Sequence, residues 1–239
     1  MKDRLKKEVF SSINENPSRA FLLKNAFDYQ QIVSWFELEN YLNNPYIHTD
    51  DVEIIDDNGF KLSLNKIYFP YTGDQKVSPA QIFDLINKNY SFILLNMNRF
   101  NEKFNDLAIE LEKNLIQDIQ LDFHLYCGLD SDSKSFKAHS DMSHNIIMQV
   151  DGNSRWQVWD WNTQCQAMIP VDKESSAGIL IDEVLTPGDI LYIPAGVVHK
   201  CSPQGKRISI SSCWQTLNAY EHFTAKSYYG NRTWHRFKN

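Results

Sequence analysis

Hydrophobic positions change their period about halfway along the chain. Leu5, Val9, Phe10 and Ile13 recur at helical spacing and predict a helix from Lys6 to Asn14. Arg19 to Phe27 reads as a short buried strand leading into a loop. Ser34, with Glu37 three residues later, forms a capping box and predicts a helix through about Leu42. Alternating segments at Val52–Ile55 and Lys61–Ser63 predict strands, and Ser78-Pro79 opens another helix with proline at its first position. A strand at Ser91–Met97 and a helix from Phe104 to Leu115 complete this half.

Beyond Asp118 the pattern becomes short strands separated by turns. The predicted strands are Gln120–Tyr126, Ser143–Val150, Ser154–Trp159, Ile179–Leu185, Asp189–Ile193 and Arg207–Trp214. Asp151-Gly152-Asn153 and Pro187-Gly188 mark turns between them. The fold class is therefore mainly β with flanking helices, a sandwich or small barrel braced on one face. Three regions follow within one compact domain: residues 1–117 bracing the barrel, 118–215 forming the core, and a partly helical tail, aromatic and basic, over 216–239.

Composition narrows the function. A chain of 239 residues with 42% hydrophobic and 13% aromatic content has ample material for one core. A net charge of −6 argues against a generally basic nucleic-acid surface. Cys127, Cys165, Cys201 and Cys213 lack zinc spacing, and the charged start has no apolar signal core. The reading is a soluble, cytoplasmic protein with reduced cysteines and no membrane contact.

Two segments carry candidate chemistry. In Lys137-Ala138-His139-Ser140-Asp141, the histidine and carboxylate are two apart, which puts both on one face of a strand. In the second segment, Pro187-Gly188-Asp189 turns the chain, Ile190–Ile193 forms a strand, and Pro194-Ala195-Gly196 bends it before His199. Two imidazoles and one carboxylate form the facial set that binds non-haem Fe(II) and leaves positions open for O₂ and substrate. Singly, each residue also reads as an ordinary surface or core side chain; the combination carries the assignment. His144 stands at odd spacing from His139 and is expected to face away.

These motifs, together with Asn145–Trp156, Gly188–His199 and Ser209–Trp214, resemble the JmjC-type branch of the cupin superfamily. The similarity is greatest to the hydroxylase subgroup that includes the ribosomal oxygenases and the asparaginyl hydroxylase of hypoxia signalling. It implies a double-stranded β-helix (jelly-roll) core and an Fe(II) site made by His139, Asp141 and His199. It also implies 2-oxoglutarate as co-substrate, O₂ as oxidant, and a dioxygenase that hydroxylates a protein, peptide or small molecule. Asn145, His124 and Tyr126 fall near positions that face the co-substrate in relatives, and Trp214 resembles an aromatic wall beside the iron.

Those relatives place Lys or Arg fifteen residues after the first histidine to hold the far carboxylate of 2-oxoglutarate. Here that residue is Ser154. The replacement is Lys206 or Arg207, and strand parity leaves both open: Trp214 facing inward favours Lys206, Cys213 facing inward favours Arg207. Ser154 also motivates an alternative, a cupin-fold metal protein that does not use 2-oxoglutarate. The tail, with Tyr228, Tyr229, Trp234 and Arg236, reads as packing on its own domain or in a homodimer. A nucleic-acid partner is the weaker reading, with a modified tRNA left open as substrate.

Overall fold

The computed structural model describes residues 8–214, apart from 30–31, 46, 49, 57, 69, 72, 74, 100, 115–119, 163–166 and 169–177. The tail over 216–239, Cys165 and the start of the first predicted helix lie outside the described residues. Among the described residues the α-helices are α1 (Phe10–Glu15), α2 (Trp35–Leu42), α3 (Pro79–Asn87) and α4 (Glu102–Glu112). The α2 capping box forms, with Ser34 Oγ accepting from the Glu37 amide and Glu37 accepting from the Ser34 amide. Among the described residues no helix is long and apolar enough to cross a membrane.

Two antiparallel sheets face one another. The larger takes β1 (Phe21–Leu23), β2 (Val52–Ile55), β5 (Ser91–Leu94), β6 (Asp122–Gly128), β8 (His144–Asp151), β12 (Ile190–Ile193) and β14 (Arg207–Trp214). Their spatial order is β1-β12-β8-β14-β6-β5-β2. The smaller, in the order β10-β7-β13-β9-β11, takes β7 (His139–Ser140), β9 (Ser154–Asn162), β10 (Ala167–Met168), β11 (Ile179–Leu185) and β13 (Val197–Pro203). A separate hairpin joins β3 (Lys66–Tyr68) to β4 (Gln75–Val77). This is a jelly-roll core whose main sheet is extended at both edges by strands from the N-terminal half.

Period-2 alternation assigns each face of the larger sheet. On β14, Ile208, Ile210 and Trp214 turn toward the helices; on β8, Ile146, Met148 and Val150 do the same. They join Phe10, Leu38, Ile82 and Phe104, each at most 2% exposed and each stabilising the fold by about 1.5–3 kcal/mol through burial. Ile147, Leu191 and Ile193 point the other way, meeting Trp156, Val158 and Val197 of the smaller sheet. That leaves the odd-numbered residues of β14 facing the interior between the sheets.

Two segments depart from the sequence reading. Lys61–Ser63 forms no strand: only an isolated bridge joins Ile55 to Lys61, while Leu62 packs part-buried on the core. The chain after Gly196 is a full strand, β13, because Gly196 takes φ +79° and reverses the direction of β12.

Candidate metal centre

His139 and His199 are directly paired across β7 and β13, which brings their ring centroids to 4.4 Å. Asp141 lies just past the end of β7, where its carbonyl accepts from the Gly196 amide at 2.7 Å. The bend that carries the chain toward His199 thus also pins the carboxylate. Asp141 Oδ2 stands 3.5 Å from His199 Nε2 and 3.8 Å from His139 Nε2. All three ligand atoms lie within 4.8 Å of one another.

Both imidazoles are oriented by backbone. His139 Nδ1 meets the Lys137 carbonyl at 2.7 Å, and His199 Nδ1 meets the Val197 carbonyl at 2.9 Å. A carbonyl can only accept, so Nδ1 carries the proton and each Nε2 presents a lone pair toward Asp141. Burial, followed by the neighbouring His199, pushes the His139 pKa down to about 4, so its ring is neutral at ordinary pH. Burial alone would raise the Asp141 carboxyl, but the two histidines beside it, His199 first, hold it below the usual carboxylate range.

The donor set fits a divalent transition metal. Ligand bonds of ~2.1 Å at right angles put donors ~3 Å apart, so the observed spacings need only a slight contraction. Phe136 packs edge-on to His139 at 5.5 Å, and Trp156 stacks beside His199 at 6.1 Å.

Two cavities share this wall. An outer one of about 430 Å³ is lined by His139, Asp141, Asn145, His124 and Tyr126, and also by Glu53 and Lys61. An inner one of about 40 Å³ is bounded by His139, Asp141, His199, Trp156, Ser209 and Arg207. The inner space holds on the order of three waters, enough for a carboxylate group.

Arg207 is 2% exposed. Its Nη2 donates to Ser91 Oγ at 3.1 Å, while Nη1 is buried without a hydrogen-bond partner. Burial lowers its pKa, the nearest titrating groups being the Cys201 and Cys127 thiols. Gly128 leaves the room it needs, since a Cβ there would collide with Nη1. Arg207 is thus a buried guanidinium with unused hydrogen-bonding capacity, lining the same inner cavity as the triad.

The remaining predicted site residues separate cleanly. Asn145 lines both cavities, its Oδ1 accepting from Ser211 Oγ at 3.1 Å and its Nδ2 donating to the Ser143 carbonyl. Tyr126 lines both cavities as well, and burial raises its pKa. His124 lines the outer cavity, where burial lowers its pKa and favours the neutral ring.

Three expectations are corrected. Lys206 is on the outer side of the sheet, with Nζ 4.4 Å over the Trp35 ring. Trp214 turns to the helix side, stacked on His144 at 5.2 Å and on Tyr192 at 6.1 Å; Trp156 is the aromatic wall beside the triad instead. Ser154 is fully buried away from both cavities, donating to Gln149 Oε1 at 2.7 Å and accepting from Trp156 Nε1 at 3.0 Å. His144 does face away from the triad, bonded through Nδ1 to Tyr192 Oη at 2.8 Å. Trp156, Glu53 and Lys61 were not singled out as site residues and nothing local marks them, whereas Cys213 shares the inward face of β14 with Arg207 by alternation.

A jelly roll with two histidines and one carboxylate on a shared interior wall defines a cupin-type metal site. The JmjC domain profile matches residues 99–222, more than half of the chain, and the chain belongs to that family. It is 22% identical over 198 residues to the bifunctional lysine-specific demethylase and histidyl-hydroxylase NO66 of Drosophila simulans, covering 81% of this chain and 22% of that protein. The Drosophila willistoni protein of the same name is 32% identical over 112 residues, covering 41% and 14%. Among solved structures, the ribosomal oxygenase YcfD from Escherichia coli in complex with cobalt and 2-oxoglutarate matches with a TM-score of 0.61 at 21% identity. That match covers 88% of this chain and 52% of YcfD, so the chain spans about half of that relative and less of the others.

Proposed function

We propose that the chain is an Fe(II)- and 2-oxoglutarate-dependent dioxygenase that hydroxylates a side chain of a protein or peptide. One observation carries the reading: the His139–Asp141–His199 triad and Arg207, whose guanidinium is buried with Nη1 lacking a hydrogen-bond partner, line the same inner cavity. Iron would be held by Nε2 of His139, the Asp141 carboxylate and Nε2 of His199, a donor set suited to that ion. The far carboxylate of 2-oxoglutarate would meet Arg207, in place of the cation that relatives carry at the position of Ser154. Bound together, the two would supply O₂-dependent hydroxylation of a C–H bond, with 2-oxoglutarate oxidatively decarboxylated to succinate and CO₂, one oxygen atom of O₂ going to each product.

The chain's own residues do the positioning. The Lys137 and Val197 carbonyls hold each imidazole in one orientation, with Nε2 turned toward Asp141. Trp156 and Ile147 wall the inner cavity with apolar surface, which excludes water and strengthens the Arg207–carboxylate attraction. Asn145 and Tyr126, present in both cavities, border the passage between the anion site and the outer space where substrate would enter.

Relatives support the reading by their names, a histidyl-hydroxylase and a ribosomal oxygenase solved with cobalt and 2-oxoglutarate. Free thiols at Cys127, Cys201 and Cys213 are in keeping with a reducing cytoplasm. The test is succinate formation from 2-oxoglutarate with Fe(II) and O₂ across a peptide panel. Turnover that disappears in His139→Ala is expected; a metal-loaded protein that fails to bind 2-oxoglutarate overturns the proposal.

A further inference from the structure

The inner cavity has two fixed ends. His139 and His199 belong to β7 and β13 of the smaller sheet, and Arg207 belongs to β14 of the larger one. Ser91 holds the guanidinium at 3.1 Å, and the Lys137 and Val197 carbonyls hold the two imidazoles. Each end is thus set by a packed sheet, and the span between them does not stretch to suit a longer ligand. A chain one methylene too long for that span has to bow sideways into a wall.

The walls are not alike. Trp156 and Ile147 border the inner cavity but not the outer one, and both are packed in the apolar cluster between the sheets, so that side does not give. Phe136, Tyr126, Asn145, Ser211, His139 and Asp141 border both cavities. The last two are the candidate ligands, while Tyr126, Asn145 and Ser211 lie in β6, β8 and β14, strands paired on both sides. That leaves Phe136, half-buried in the irregular segment before β7 and part of no apolar cluster. Its ring meets His139 edge-on at 5.5 Å and 67°. The next residue ties it down: the Lys137 carbonyl reaches His139 Nδ1 at 2.7 Å, and Lys137 Nζ stands 5.0 Å from the Phe60 ring. Phe136 is a plate with about 40 Å³ on one side and about 430 Å³ on the other.

We infer that Phe136 is a specificity-determining residue that fixes the chain length of the 2-oxo acid. The inference rests on the oxygenase reading above, which assigns the inner cavity to 2-oxoglutarate. Between the metal end and Arg207, the methylenes of a five-carbon acid fit with the ring in place. The extra methylene of 2-oxoadipate, the six-carbon homologue, has to push that ring aside. With the ring gone, the longer chain bows into the outer cavity and keeps both of its ends.

The test is calorimetric binding of 2-oxoglutarate and 2-oxoadipate to the full chain loaded with Mn(II) in place of iron, so that affinity is read without turnover. The parent is expected to favour 2-oxoglutarate by roughly 10–200-fold, the range for one surplus methylene in a fitted pocket. Phe136→Ala should lower that preference about tenfold by strengthening 2-oxoadipate, and Phe136→Leu should restore most of it. Mn(II) affinity should stay at the parent value in both variants, since Phe136 supplies no ligand atom. A parent that binds the two acids equally overturns the inference. So does a Phe136→Ala variant that keeps the parent's ratio, including one that weakens both acids by the same factor. These results leave the oxygenase reading standing. Binding of neither acid to the metal-loaded parent removes that reading, and this inference with it.

Discussion

Arg207 donates Nη2 to Ser91 Oγ at 3.1 Å and leaves Nη1 buried with no partner. One neutral hydroxyl does not offset the desolvation of a whole guanidinium, so the protein keeps a cation that is costly to bury. The natural compensation is an anion from outside the chain. Arg207→Met should weaken 2-oxoglutarate binding roughly tenfold to hundredfold, the range for a charged hydrogen bond. In the absence of 2-oxoglutarate the same variant should melt at an equal or higher temperature. Calorimetry with and without ligand reads both.

Gly128 keeps space for that guanidinium, because a Cβ there would overlap Nη1 and press on Ser133. Gly128→Ala should fold and bind metal normally while losing about tenfold in 2-oxoglutarate affinity, one hydrogen bond to a charged group. Titration calorimetry with Mn(II) in place of iron separates the two affinities.

Removing the carboxylate should abolish the metal site without unfolding the barrel. Loss of an outer partner alone costs metal sites 10–100-fold, so Asp141→Ala should lower Mn(II) affinity by about 100-fold or more. Circular dichroism of the variant should match the parent, since Asp141 contributes to no apolar cluster.

Trp214 tests the opposite face of the same strand. Stacked on His144 and Tyr192 and 5% exposed, it belongs to the helix-side core. Trp214→Ala should destabilise the fold by about 3–5 kcal/mol in urea melts. Mn(II) affinity of the folded fraction should stay at the parent value.

Asp189 sets part of the acid stability. Burial alone would raise its pKa, but the Thr186 and Asn25 amides, the Thr186 hydroxyl and Lys24 together hold it below the ordinary value. A depressed carboxylate stabilises the fold above its unfolded pKa of about 3.9, and that stability disappears as pH falls through the folded value. Asp189→Asn should therefore cost about 1–3 kcal/mol at neutral pH, with the gap to the parent closing below about pH 4. Urea melts across that range check the sign.

Much of this was legible from local pattern. Ser34 and Glu37 announce a helix start because a capping box uses only neighbouring atoms. His139 and Asp141 sit two apart, and strand geometry alone carries both toward one side. Strands β6, β8, β9, β11, β12 and β14 were readable because burial on alternate faces imposes alternation on the residues themselves, as in Ile208, Ile210 and Trp214 against Arg207, Ser209 and Cys213.

Alternation says which residues share a face, but not which face looks inward. That depends on what packs against the sheet. Helices α1 to α4 cover the side of β14 that carries Trp214, so Arg207 is turned to the interior and Lys206 to Trp35. Pairing at a distance was equally hidden: the His139–His199 register and Ser91 beneath Arg207. The chain's own order supplies ligands, caps and strand periods, which are properties of a few adjacent residues. The placement of Arg207 and the meeting of the triad come from contacts between residues tens to more than a hundred positions apart, and only packing brings those together.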